Sequence, residues 1–116
     1  MAEVTLTTNF AEIATALAAA QADIVAEVAE EIAAGARRRA SARIEGTIIV
    51  DHESGALEAT VGAGDRRSAI HAGFEEFGTV GRAAYPFMIP AVEEVRPRVA
   101  GIATKHIEQA ARRSAA

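Results

Sequence analysis

NFAEIATALAAAQADIVAEVAEEIAAGA, residues 9–36, decides the architecture, because everything downstream must pack on whatever this run becomes. Phe10, Ile13, Leu17, Ala20, Ile24, Val28 and Ile32 return every three or four residues, the period of one apolar helix face. Asn9 followed by Glu12 has the spacing of a capping box, which sets the expected start. Acidic groups lie along the run and Arg37, Arg38 and Arg39 follow it, so the charges suit the helix dipole. A helix over 9–36 measures about 42 Å at 1.5 Å per residue. That is long for a chain of 116 residues, and the excess is expected to pack on a neighbouring subunit through alanine faces that allow close approach. A two-stranded coiled coil is the rival arrangement, but the stripe lacks sustained large residues at the a and d positions.

Outward from the helix the period changes. Ile44, Ile48 and Val50 alternate with Glu45, Thr47 and Ile49, and Leu57, Ala59 and Val61 with Glu58 and Thr60, while DHESG between the two runs supplies turn residues and a glycine. A β-hairpin over 43–62 follows, too small to be stable without the long helix, another strand or a neighbour against it. VGAGDRR, residues 61–67, lacks the lysine and hydroxyl residue of a phosphate loop. Asp65 or Ser68 is placed to cap a short helix through Ile70, Phe74 and Phe77, which Gly78 ends. Pro90 suits the first turn of a C-terminal helix over 90–112, with Pro97 either bending it near 93–97 or delaying its start. The expected fold is α+β: long N-terminal helix, small antiparallel β-sheet with hairpin, short central helix or turn, and C-terminal helix, in one domain covering 1–116.

Composition narrows the function classes. Of 58 apolar residues 29 are alanine, so few side chains fill space efficiently and self-association is a natural route to further burial. There is no cysteine, hence neither disulfide nor thiolate zinc site, and a cytosolic setting is expected. The opening MAEVTLTT has no basic segment followed by an apolar one, and Asp23, Glu27, Glu30 and Glu31 interrupt the alanine-rich run, so neither a secretion signal nor a membrane span is expected. The net charge of -4 is unevenly distributed: residues 1–34 carry six acidic groups and no Lys or Arg. Ends of opposite sign suit head-to-tail contact between copies.

Catalytic chemistry has no complete constellation. Glu75 and Glu76 are adjacent and diverge by about 100° on a helix, which prevents them from flanking one substrate. His71 stands four residues before Glu75, a spacing for a surface pair, and His52, His71 and His106 match no zinc motif. Ser41, Ser54, Ser68 and Thr79 show no accompanying base. No catalytic, cofactor-binding or metal-ligating residue is assigned, and the chain is read as a non-enzyme. Arg37, Arg38, Arg39 and Arg43 form a basic patch that could contact a neighbour or, lining a channel, DNA phosphates without sequence preference.

HAGFEEFGTVGRAAYPFMIPAVEE, residues 71–94, resembles the small tail-completion or tail-component proteins of long-tailed bacteriophages. The elements that carry the resemblance are His71-Ala72, Phe74, Glu76-Phe77-Gly78-Thr79, Pro86-Phe87 and Pro90-Ala91, preceded by the long helix and β segment in the same order. The resemblance implies a virion structural protein of the neck or tail that completes the tail or joins it to the head connector, as copies in a ring. Tail termination and head closure are neighbouring roles, and a small DNA-associated architectural protein is the alternative from another class. Its partners would be further copies, the tail tube or terminator, and head-connector proteins. Host cytoplasm during assembly, or a prophage, would be its setting before the virion. The assembly surface is then expected at Phe74, Glu76, Phe77, Gly78, Thr79, Tyr85, Pro86, Phe87 and Pro90. Within it Phe74 and Phe77 would anchor inward and Glu76 would sit at a subunit edge, so that lysine at position 76 disturbs assembly before folding. Acidic and basic helix surfaces would set the register between copies.

Overall fold

The computed structural model describes residues 2–65 and 68–115, with side chains from 14 to 65 and from 68 to 113. Helix α1 runs Ala2–Arg39 and α2 is one turn, Ala42–Glu45. Strands β1, Ile49–Asp51, and β2, Thr60–Gly62, form a two-stranded antiparallel sheet. Helices α3, Ala69–Phe77, α4, Met88–Val95, and α5, Val99–Ala115, complete the chain, with a 3₁₀ turn at Arg96–Arg98. The architecture is mixed α+β and mostly helical, with the expected elements in the expected order.

Three boundaries differ from the sequence reading. α1 continues upstream through Asn9, which is therefore interior to the helix. Threonine and asparagine are weak helix formers but not breakers, and no Gly or Pro stands there to stop propagation. The side chains of Phe10 and Ile13 lie outside the described residues. The hairpin of 43–62 begins later, because Arg43–Glu45 belong to α2. Ile44 and Ile48, both buried, are four apart and satisfy a helical period as readily as an alternating one. The C-terminal helix expected over 90–112 spans α4 and α5, and Pro97, lacking an N–H, converts the junction to a 3₁₀ turn.

The core lies at the C-terminal end of α1. Ala33, Ala36, Ile44, Ile48, Ala72, Phe87 and Ala91 form one buried cluster, with Val50 and Val61 of the sheet packed against it. Small residues let α4 approach α1 closely: a Cβ on Gly35 would stand 3.2 Å from the Cβ of Ala91. Polar bonds fix the sheet to this end. Arg37 Nη2 donates to the Ile48 carbonyl at 2.8 Å, and Gly64 N donates to Thr47 Oγ1 at 2.8 Å.

α5 returns antiparallel along the middle of α1, burying Ala20, Ala29, Ile102 and Ala110. Much of the charge asymmetry is resolved here, inside one chain. Lys105 Nζ lies 2.7 Å from Glu27 Oε1, His106 Nε2 is 3.1 Å from the same oxygen, and Arg98 reaches Glu31 at 3.6 Å. The Lys105 hydrogen bond, reinforced by His106, holds the Glu27 carboxyl below its usual range against the opposing effect of burial. A depressed carboxylate contributes stability that is fully present above its unfolded value and lost as pH falls through its folded value. The melting temperature gap between wild type and Glu27→Gln should therefore be widest near neutrality, begin to narrow as pH approaches the ordinary carboxyl value of 4.5, and close only once pH has fallen through the depressed folded value. A gap that stays constant down to the acid limit would mean that Glu27 is not ion-paired in solution.

The molecule is elongated. Its radius of gyration is 19.2 Å and its extents are 73 × 26 × 20 Å, whereas a compact chain of this length has a radius of gyration of about 13 Å. The body occupies one end and middle of α1, and the N-terminal part of the helix extends past the end of α5, whose Ala110 and Arg113 lie beside Ala16, Ala19 and Ala20. None of the described helices is long and apolar enough to cross a membrane.

Candidate functional site

α3 and the loop after it form the surface to which the sequence resemblance points. Asp65 and Ser68 make a polar box at its start, with Ser68 Oγ donating to Asp65 Oδ1 at 2.9 Å and accepting from Asp65 N at 3.0 Å. The helix ends at Gly78, whose φ of +76° is a conformation that L side chains rarely adopt. A Cβ there would also meet Ala84 N at 2.9 Å, so the returning loop passes directly over the glycine. Thr79 N and Arg82 O pair at 2.9 Å, and Tyr85 N donates to Glu75 O at 2.7 Å, folding residues 78–85 back on the end of α3.

α3 is mounted with its large apolar side chains outward. Ile70, Phe74 and Phe77, at i, i+4 and i+7, are 66%, 42% and 75% exposed, while Ala72 and Glu76 face the core. Phe74 and Phe77 thus do not anchor the segment inward as the sequence suggested. The reason is space: under this helix the core accepts an alanine and a carboxylate, and Phe87 from the next element fills what remains. Val80 and Tyr85 on the loop are exposed as well, which extends the apolar face.

Glu76 and Phe87 leave the expected assembly surface. Phe87 is 2% exposed and Glu76 8%. The Glu76 carboxylate accepts from three consecutive backbone amides: Phe87 N at 3.1 Å, Met88 N at 2.8 Å and Ile89 N at 3.0 Å. These are the free N–H groups at the start of α4, whose own N-cap residue, Phe87, has no side-chain acceptor. A residue of α3 therefore caps α4, which corrects the placement of Glu76 at a subunit edge. Of the other expected residues, Thr79, Tyr85 and Pro86 are exposed and Gly78 and Pro90 partly so.

An open groove of about 370 Å³ lies beside this face, lined by Ser41, Arg43, His71, Phe74, Glu75 and Arg82 among others. Its polar groups engage one another. Ser41 Oγ donates to Glu75 Oε2 at 3.0 Å, Arg43 Nη1 is 3.3 Å from His71 Nδ1, and the His71 and Phe74 rings meet edge to face at 6.4 Å. His71 and Glu75 share a helix face, yet each is turned to a different partner. Among the described residues no group of His, Asp and Glu side chains is placed to hold a metal ion.

The four arginines expected at a channel or neighbour contact also have partners within the chain. Arg37 binds the Ile48 carbonyl, Arg38 pairs with Glu94 at 3.2 Å, Arg39 pairs with the same carboxylate, and Arg43 meets His71. Their spacing in sequence suggested one cationic patch, whereas Arg38 and Arg39 at the end of α1 converge on Glu94, Arg37 turns to the Ile48 carbonyl, and Arg43 stands on α2. The Arg39 hydrogen bond and the surrounding guanidinium charges hold the Glu94 carboxyl below its usual value.

No family model, curated protein or solved structure matches this chain. The phage resemblance accordingly stands on the residues of segment 71–94 quoted above.

Proposed function

We propose that this chain is a virion structural protein that completes the tail, or joins it to the head connector, of a long-tailed bacteriophage, working as several copies in a ring. The observation that carries the reading is the outward apolar stripe Ile70, Phe74 and Phe77, continued by Val80 and Tyr85 on a loop pinned by Gly78. Contiguous exposed apolar surface on a small chain marks a contact with another macromolecule. An open, polar groove whose side chains pair with one another favours docking over conversion of a small molecule. The elongated body and projecting helix suit a part that is complete only among neighbours.

Arg37, Arg38, Arg39 and Arg43 support this structural role more than a DNA-facing one, because their guanidinium groups are engaged within the fold. Purified chain mixed with isolated tail tubes and viewed by electron microscopy tests the reading. Density at one tube end is expected, and its loss in Phe77→Asp, a change at an exposed position, would tie binding to the apolar face. Binding to DNA that weakens steeply with salt, with bare tube ends, would instead establish the architectural alternative.

A further inference from the structure

Two apolar surfaces of the described chain lie open, one raised and the other hollow. The raised one is the α3 stripe Ile70, Phe74 and Phe77; its helix is packed on the core through Ala72, so only another molecule can meet the stripe. The hollow one is an open groove of about 300 Å³ with the α1 residues Ile24, Val28 and Ile32 as its floor. Val61 of β2 and Val99, at the start of α5, rise as its walls. A second hollow of about 310 Å³, between Leu57 of the hairpin and Gln21, Ile24 and Val25, extends this surface toward the N-terminal end of α1. No Asp, Glu, Lys or Arg lines either hollow, so a polar small molecule finds no anchor there and the occupant must be apolar.

Resting on the assembly reading above, we infer that the α3 stripe of one copy fills the α1 groove of the next, joining chains head to tail. Anchors at i, i+4 and i+7 are how a helix seats in an apolar groove. The stripe is about 10 Å long from Ile70 to Phe77 and the groove about 16 Å from Gln21 to Ile32, at 1.5 Å per residue, so all three anchors have room. The charges beside the two surfaces decide the occupant. On α3 and in the polar groove next to it, Glu75 is held by Ser41, Glu76 by the α4 amides, and Arg43 is turned to His71. That leaves Arg82, exposed and without an ion pair among the described residues. On the α1 side, Glu27 and Glu31 are paired with Lys105 and Arg98, and Arg37 is bound to the Ile48 carbonyl. Asp23 and Glu30 fall on the far side of α1 by the helical period. The charges left beside Leu57 are the hairpin carboxylates Asp51, Glu53 and Glu58, exposed and without an ion pair among the described residues. Stripe in groove therefore brings Arg82 toward carboxylates, whereas stripe on stripe sets Arg82 against its copy, and groove on groove sets carboxylates against carboxylates across two hollows. The same attraction gives the direction, Phe77 toward Leu57 and Ile70 toward Ile32. Because the two surfaces differ, the contact is heterologous, and its repetition closes into a ring or continues as a filament.

Variants of the full chain test this. Ile70→Asp with Phe77→Asp spoils the stripe, and Val25→Asp with Leu57→Asp spoils the groove, all at positions outside the buried core cluster. In sedimentation velocity the wild type should self-associate, and each variant alone should do so about tenfold or more weakly, as expected on losing central apolar anchors. Mixed in equal amounts, the two should form a species of two chains and nothing larger, since one intact stripe meets one intact groove. Circular dichroism checks that both are folded, and a cysteine pair decides the matter if the groove variant is not. The native chain has no cysteine, and Leu57→Cys and Phe77→Cys both lie at exposed positions. A short bismaleimide should join these two variants in the mixture and neither to itself. Cross-linking within one variant alone would show symmetric pairing and overturn the inference, as would a mixture without cross-links or a wild type that remains monomeric at its highest soluble concentration. Tube-end binding by the wild type with no mixed cross-link sinks the groove contact and leaves the phage role standing; a mixed cross-link with bare tube ends does the reverse.

Discussion

Glu76→Ala should lower the melting temperature of the chain by about 10 °C or more, the effect of roughly 3 kcal/mol on a domain of this size. Hydrogen bonds to a charged acceptor contribute about 1.5–3 kcal/mol each, and deletion strands three donors at once. The Phe87 amide is the costliest, because its bond is buried, while water can replace part of the loss at Met88 and Ile89. Removal also takes a negative charge from the positive end of the α4 dipole. Glu76→Gln should lose about half as much. Its remaining oxygen can still serve Met88 and Ile89, which share Oε1, while its amide nitrogen faces the Phe87 N–H as a second donor. Lysine at this position should prevent folding before any question of assembly arises, the reverse of the order expected from sequence. Calorimetry on the three variants checks the series, and an alanine variant that melts within a degree or two of the wild type would show that the cap does not form in solution.

The cap illustrates what the sequence could and could not reveal. Signals for α3 are local: Asp65 before it, whose carboxylate accepts from Ser68 N and Ser68 Oγ, and Gly78 after it, whereas Ser68 itself makes no side-chain bond to the helix amides. The cap of α4 comes from 11 to 13 residues upstream by way of a glycine turn, and no fixed spacing announces such a bond. A negative signal was present. Pro86-Phe87-Met88 enters a helix with no Ser, Thr, Asp or Asn to satisfy its first amides, so a distant acceptor was required.

The long helix was legible because a stripe sustained from Ile13 to Ile32 has no competing period. Its start was not, since Asn9 and Glu12 have the spacing of a capping box in a segment that remains helical on both sides. The direction in which α3 faces was hidden for a different reason. Periodicity shows that Ile70, Phe74 and Phe77 share a face but carries no sign, and only the packed structure shows that the small face, Ala72 with Glu76, is the inner one. The charges behave similarly: opposite signs on α1 and α5 were visible, but a hairpin of antiparallel helices can satisfy them within one chain as well as between two.

Phe87→Ala should be the most damaging single truncation, at about 3–5 kcal/mol. The cost of such a change depends on whether neighbours can move into the space. Around Phe87 they are poorly equipped to do so. Ala33, Ala36, Ala72 and Ala91 have no side-chain torsion with which to reach inward, and Ile44 and Ile48 are already fully buried. The backbones cannot close up either, since α1 and α4 already stand in contact at Gly35 and Ala91. The vacancy therefore persists, placing the loss toward the upper end of that range. Phe87→Leu, which keeps most of the volume, should recover more than half of it. The substitution also tests coupling to Glu76, because the Phe87 amide is one of the three that the carboxylate holds. In a double-mutant cycle, Phe87→Ala and Glu76→Ala should cost less together than the sum of the two, each already releasing the start of α4 from the core. Strict additivity in urea denaturation would mean that ring and carboxylate hold α4 independently, and that the end of α1 supports two separate attachments instead of one cooperative joint.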